Sequence, residues 1–236
     1  MKETKPEFDA LSASYDELLR DPIRDRFSAG TAFFHARKRD LIRAYFDRNR
    51  LKASSLSWLD LGCGKGDLLT IMKDDFGQAA GCDPSGGMLE AGNLRNSGID
   101  AREQRDPGQI PFEDSAFDFI TAVCVYHHVP PPVRAALTAE VRRVLRPGGT
   151  FCIIEHNPWN PATRLIVSRT PVDADAILLR AGESCGLLEA AGFHLTRKEY
   201  FLYLPEGLYR NLRTFEGALG WLPLGGQYAV FGQAPA

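Results

Sequence analysis

At 236 residues the chain is long enough for one α/β domain with an appendage and too short for two full domains. Its 28 basic and 30 acidic side chains leave a net charge of −2, so nothing draws it to nucleic acid or an anionic membrane, and neither partner is expected. No apolar stretch approaches the length of a bilayer span, and the charged Met1–Pro6 lacks a signal core. Five widely spaced cysteines without a C-x-x-C pair read as small buried hydrophobes rather than zinc ligands, which fits a reducing, cytoplasmic setting.

Residues 7–50 carry helical periodicity. Phe8, Leu11, Tyr15, Leu18 and Leu19 recur at three- and four-residue steps until Asp21-Pro22 ends the pattern. A second run places Phe33, Phe34, Leu41, Ile42, Tyr45 and Phe46 around a charged Arg37–Asp40. That charge reads either as a solvated helix face, with the aromatics packed on the rest of the domain, or as a cap from which Tyr15, Arg37 or Lys38 reaches into a pocket.

Residues 56–61, Leu-Ser-Trp-Leu-Asp-Leu, predict a buried strand closed by a turn in which Gly62, Gly64 and Gly66 alternate. Leu68, Leu69, Ile71 and Met72 then resume with helical spacing. A strand that ends in a glycine loop and opens a helix is a seat for a nucleotide-like ligand. Gln78–Cys82 predicts a second strand ending at Asp83, about twenty residues past the first glycine, where a carboxylate can meet a ribose. Asp83 can equally cap the helix that Pro84-Ser85 begins. Ile99–Glu103 is a weak third strand, and Phe117–Val125 is apolar enough for a central one. The central strand runs into Tyr126-His127-His128-Val129, at the carboxyl edge where open α/β sheets bind ligands. An amphipathic helix over Val133–Leu145, the turn Arg146-Pro147-Gly148-Gly149 and a fifth strand over Thr150–Ile154 follow. Glu155–Pro161 is a polar, proline-locked loop at the carboxyl edge, open to a substrate-facing role or to shaping a crossover; residues 162–181 read as a lid or insertion, Glu183–Ala190 as a helix and His194–Leu204 as a strand. Residues 205–225 read as an insertion and Tyr228–Phe231 as the last strand. The alternation of strands and helices predicts an α/β fold with a doubly wound sheet.

Four stretches in order resemble the motifs of class I S-adenosylmethionine (SAM)-dependent methyltransferases. They are Asp60-x-Gly62-x-Gly64-x-Gly66, Asp83-Pro84-Ser85-Gly86-Gly87-Met88-Leu89, Asp106 followed by Ile110-Pro111-Phe112 and Phe117-Asp118, and Leu145-Arg146-Pro147-Gly148-Gly149. Asp106-Pro107-Gly108 departs from the pattern, where small or acidic residues more often follow the acid. The resemblance covers roughly residues 55–155 by motif and 182–232 by pattern. It implies a Rossmann-like, doubly wound seven-stranded sheet, mostly parallel with a C-terminal antiparallel hairpin. It also implies an N-terminal helical cap over residues 1–52 and a SAM-binding domain over 53–236, with a lid or insertions at about 157–181 and 205–225.

With the resemblance come SAM as cofactor, S-adenosylhomocysteine as product, and a small-molecule acceptor. Asp60, Gly62, Gly64 and Gly66 would hold the methionine end, Asp83 the ribose, and Met88 with Asp106 the adenine. Backbone near Cys124 would face the cofactor, and Tyr15 would reach it from the cap. Methyl transfer from a sulfonium needs in-line alignment and, for a hydroxyl or protonated amine, a proton acceptor. His127, His128 and His156 lie at the expected edge and are the catalytic candidates, each open also to a structural role. An NAD(P)-dependent oxidoreductase would share the layout but wants G-x-G-x-x-G, with its third glycine one residue later. A SAM-binding protein without catalysis is the third reading. Acceptor identity and oligomeric state are open.

Overall fold

A computed structural model describes residues 7–106 and 108–236; Met1–Pro6, read above for its missing signal core, and Pro107 lie outside the described residues. The N-terminal part holds helices α1 (Glu7–Leu11), α2 (Tyr15–Leu18), α3 (Pro22–Phe27) and α4 (Thr31–Asn49). Then follow β1 (Ser57–Leu61), α5 (Asp67–Met72), β2 (Gln78–Asp83), α6 (Gly86–Ala91), β3 (Asp100–Glu103) and β4 (Phe117–Val123). The chain continues through α7 (Pro131–Val144), β5 (Leu145–His156), α8 (Pro161–Val167), α9 (Ala181–Ala190), β6 (His194–Phe201), α10 (Glu206–Ala218) and β7 (Gln227–Gln233).

The seven strands lie in the order β3-β2-β1-β4-β5-β7-β6. β1 to β5 pair in parallel, and β7 runs antiparallel between β5 and β6. The sheet is thus the Rossmann-like one expected. Its order reverses between β1 and β4, and the carboxyl ends of those two strands open the switch-point crevice where such sheets bind ligands. All five residues of β1 are buried, as a strand covered on both faces requires.

Each face carries its own core. On one, Leu137, Val141 and Val144 of α7 and Leu188 of α9 pack on Leu59, Ile120, Phe151 and Val230. On the other, Leu41, Ile42, Tyr45 and Phe46 of α4 join Trp58, Phe119, Ile154 and Phe231. Tyr45 stacks flat on Phe231 at 4.0 Å, and Phe46 meets Phe119 edge-on at 4.9 Å. The aromatics of α4 therefore form a layer of the sheet domain. What crosses its carboxyl edge is the stretch from Phe8 to Leu19.

Several boundaries differ from the periodicity reading, each for a local reason. β4 stops at Val123 because Cys124 turns the chain at φ +58°. β6 stops at Phe201, where Leu202 has φ +62°. β5 begins at Leu145, since Leu145 pairs with Phe117 across an irregular register that takes up the Arg-Pro-Gly-Gly turn. The 205–225 stretch contains α10, whose Glu216 makes a buried 2.8 Å ion pair with Arg37. Arg37 and Lys38 are buried, so that part of the charged run is no solvated face.

Candidate functional site

The turn after β1 uses its three glycines for different purposes. Gly62, Gly64 and Gly66 all have positive φ, at +68°, +54° and +76°. A Cβ on Gly62 would come within 2.5 Å of Val125 Cγ2, and one on Gly66 within 2.3 Å of Leu94 Cδ2. Those two exist so that the loop can lie against its neighbours. A Cβ on Gly64 would meet only the flexible end of Met88, at 3.3 Å. Gly64 is the open position of the loop.

Its N–H points at the end of β2. Asp83 Oδ2 accepts from Gly64 N–H at 2.8 Å and Oδ1 from Ser85 N–H at 2.8 Å. Ser85, rather than Asp83, caps α6, with its hydroxyl accepting the Met88 N–H. Each Asp83 oxygen keeps a lone pair beyond its backbone donor, so the carboxylate can still accept two adjacent hydroxyls. Burial raises its pKa, although the two backbone N–H groups oppose the shift. Met88 is buried beneath, against Gly64.

Asp60 lies on the α4 side of β1 and is 3% exposed. The Trp58 indole N–H donates to Thr121 Oγ1, whose hydroxyl donates to Asp60 Oδ1 at 2.6 Å. Burial nonetheless pushes the Asp60 carboxyl up to about 7, against the hydroxyl bond and the charge of Lys38. Cys124 faces the loop from the end of β4 in its left-handed conformation, and Gln227 Nε2 donates to its sulfur at 3.2 Å. A non-glycine residue held at that φ marks a strained carboxyl edge, as functional sites often do. Asp106 stands apart: it is exposed at the end of β3, and its carboxylate closes its own turn by accepting the Gly108 N–H.

A roof covers the notch. Asp9 Oδ1 accepts from the Ser85 hydroxyl and the Gly87 N–H, tying α1 to the start of α6. Phe8 packs edge-on against His128 at 5.0 Å and toward Tyr15 at 6.4 Å. Lys65, in the glycine loop, lies over the Tyr15 ring and binds Asp16 at 2.6 Å. The Tyr15 hydroxyl is driven up by burial, then by the charges of Cys124, Asp173, Asp83 and Asp67. Tyr15 is half-buried beside Phe8 and Lys65. An open groove of about 800 Å³, lined by Lys73, Gln78, Gly98, Asp100 and Phe112, lies instead at the amino edge of the strands.

Beyond Tyr15 the three candidate histidines do converge. The turn that follows Cys124 puts the rings of His127 and His128 4.1 Å apart, and His156 at the end of β5 is 5.2 Å from His127. His127 is 1% exposed, and its Nδ1–H donates to Glu155 Oε2 at 2.6 Å. Glu155 is fully buried; its Oε1 accepts the Tyr126 N–H at 2.7 Å. Asp173, from the turn Pro171–Asp173, puts Oδ1 3.4 Å from His127 Nε2 and 3.5 Å from His128 Nε2. Burial disfavours charge on His127, but Glu155 and Asp173 outweigh it and hold its pKa above the ordinary histidine value. Burial and the neighbouring His127 push His128 and His156 down to about 4.

Asp173, Thr121 and Phe8 are site residues that pattern reasoning did not single out, and Glu155 was named only as the start of the polar loop after β5. Glu155-His156 at the end of a strand was a usable signal. Asp173 gave none, because only the fold carries residues 171–173 back over the edge. Within the polar loop after β5, Asn157 is structural. Its amide donates to Pro223 and Gly225 carbonyls, while Trp159 is exposed.

Residues 59–153 match the model of the methyltransferase domain. Over 116 residues the chain is 31% identical to a demethylmenaquinone methyltransferase of Staphylococcus epidermidis, covering 47% of each chain. It spans about a third to a half of the length of the curated relatives it matches. Among solved structures, a SAM-dependent methyltransferase from Archaeoglobus fulgidus superposes with a TM-score of 0.60 at 18% identity, over 83% of this chain and 94% of that one. The [4+2]-cyclase SpnF superposes with a TM-score of 0.66 at 18% identity, over 97% and 94%. At such identity the likeness is one of fold.

Proposed function

We propose that the chain is a SAM-dependent methyltransferase acting on a hydroxyl or amine of a small, partly apolar acceptor. The observation that carries this reading is the pairing of Gly64 with Asp83: an unobstructed glycine beside a carboxylate that keeps one acceptor site on each oxygen. That pair fits a nucleoside ribose. Met88 beneath it and the Cys124 backbone opposite complete a cradle for the adenine and sulfonium ends, and Asp60 would meet the methionine amine. Asp106, exposed at the rim, would reach the adenine only by releasing the Gly108 N–H that it accepts. Bound there, SAM supplies an electrophilic methyl on sulfur.

The protein's part is alignment, exclusion of water and removal of the acceptor proton. Phe8, Tyr15 and Lys65 form the roof that excludes water, and Asp9 latches it to α6. The roof of residues 8–19 and the 157–181 segment act as cap and lid. The cluster of His127, His128 and His156 lies across the crevice from Asp83 and receives the proton, with Glu155 orienting His127.

Calorimetric titration with SAM tests the cradle. Asp83→Ala removes two charge-assisted hydrogen bonds and should weaken binding about ten- to a hundredfold. Affinity unchanged in that variant would overturn the assignment. With an acceptor in hand, His127→Ala, His128→Ala and His156→Ala test the proton step. Loss of turnover below tenfold in all three, against the usual 10²–10⁴ or so, refutes it. SAM binding with no methylation of any acceptor screened by mass spectrometry would favour a SAM-binding protein without catalysis.

A further inference from the structure

Among the described residues, His127 has a buried ring nitrogen without a hydrogen-bond partner. Its Nδ1–H is committed to Glu155, so Nε2 is the ring atom left for a further partner, and the ring is 1% exposed. That nitrogen is Nε2. What faces it is a second acceptor, Asp173 Oδ1, at 3.4 Å. His128 Nε2 faces the same oxygen at 3.5 Å, and the three atoms all lie within 4.8 Å of one another.

With Nε2 deprotonated, as a metal requires, three electron-rich atoms surround one point. A proton would join only two of them, and 3.4–3.5 Å is beyond ordinary N–H···O range. A metal ion joins all three. Tetrahedral ligands about 2.0–2.1 Å from a first-row cation are about 3.3–3.4 Å apart. The carboxylate behind His127 is also what a metal-bound imidazole recruits: it fixes the tautomer, orients the ring and raises ligand basicity. Glu155 is fully buried, held by the Tyr126 N–H, and does this to His127 alone.

We propose that His127, His128 and Asp173 bind one divalent first-row transition ion through Nε2, Nε2 and Oδ1, with Glu155 as the supporting carboxylate. Two imidazoles and one carboxylate select an ion such as Zn²⁺ or Fe²⁺ over Mg²⁺ or Ca²⁺, which prefer all-oxygen shells. Three protein ligands leave a position for water or for an oxygen of the acceptor. The site shares His127 and His128 with the proton step proposed above, but its test is separate, since cation binding is measured without cofactor or turnover. If methyl transfer also holds, the ion takes the place of His127 and His128 in the proton step: it would hold and acidify the acceptor hydroxyl, and His156 would receive the proton.

The test uses the full chain, stripped with EDTA and titrated with ZnCl₂ in a calorimeter and with CoCl₂ in a spectrophotometer. One equivalent should bind, with the visible d–d bands of four- or five-coordinate cobalt. Asp173→Asn is isosteric and His128→Gln replaces a half-buried ring, so circular dichroism should show both folded. Each should weaken binding at least a hundredfold, and Glu155→Gln about tenfold, the lower end for a supporting carboxylate. No binding by the wild-type chain at millimolar metal overturns the proposal and leaves an imidazolium–carboxylate cluster. One-equivalent binding unchanged in Asp173→Asn and His128→Gln overturns it too, by placing the cation elsewhere.

Discussion

Replacing Asp60 by Asn should stabilise this protein while impairing its cradle. In the fold the carboxyl is buried, and its pKa rises from the ordinary 3.8 to about 7. Between those values the folded chain holds a proton that the unfolded chain has released, so the Asp60 contribution is most favourable below about pH 4. It falls as pH rises and bottoms out above 7. Three units correspond to roughly 4 kcal/mol of cost to the folded state at pH 8. Asn keeps the acceptor for the Thr121 hydroxyl but brings an NH₂ without an assigned partner, which takes back about 1–3 kcal/mol. A net gain of about 1–3 kcal/mol at pH 8 is expected, shrinking as pH falls and turning into a net cost of up to about 2 kcal/mol near pH 4. Urea unfolding of both proteins without cofactor at pH 4, 6 and 8 measures it. Wild-type and variant stabilities that run parallel across that range would refute the reasoning, because Asp60 would then titrate as it does in the unfolded chain. SAM affinity of the same variant should drop at least tenfold, the trade of stability for function that a strained binding site implies.

Gly66→Ala forces a Cβ to 2.3 Å from Leu94 at φ +76°, whereas Gly98→Ala meets the same φ with open space around it. The first should cost about 2–5 kcal/mol and the second about 1–2, and equal costs in urea unfolding would contradict the packing account. Arg37→Met strands the Glu216 carboxylate, 2% exposed, and should cost about 3–5 kcal/mol; Arg37→Met with Glu216→Leu should recover most of it. A double variant as unstable as the single one would show that α10 is held otherwise. Asp9→Ala removes the latch to Ser85 and Gly87, each bond to the carboxylate worth about 1.5–3 kcal/mol. The roof should open more than tenfold more often, and stopped-flow SAM association should accelerate; an unchanged association rate argues that residues 8–19 do not gate entry.

The chain alone determined the sheet and the location of its crevice. Hydrophobic runs such as Leu56–Leu61 and Phe117–Val123 can be buried on both faces only within a parallel sheet covered by helices. The loop glycines disclosed a tight backbone path because few other residues accept positive φ. Helix and strand limits were less legible where a single residue's φ decided them, as at Cys124 and Leu202. The charged run Arg37–Asp40 misled for a related reason: periodicity shows which residues lie on a helix, and not whether a distant Glu216 waits to neutralise one of them.

At the site the division is sharper. Short-range pattern located Gly64, Asp83, His127 and His128, since each lies at the end of a strand whose direction the pattern fixes. Which glycine stays open was not written in their spacing; it depends on Val125 and Leu94, which other elements bring against Gly62 and Gly66. The same holds for the histidine cluster. Glu155 reaches His127 because β5 lies beside β4, and Asp173 closes the group because a stretch after α8 folds back over the sheet edge. Local sequence sets backbone preference and burial period over a few residues. The convergence of groups 18 to 46 positions apart is fixed only when the core packs, and that convergence makes the chemistry.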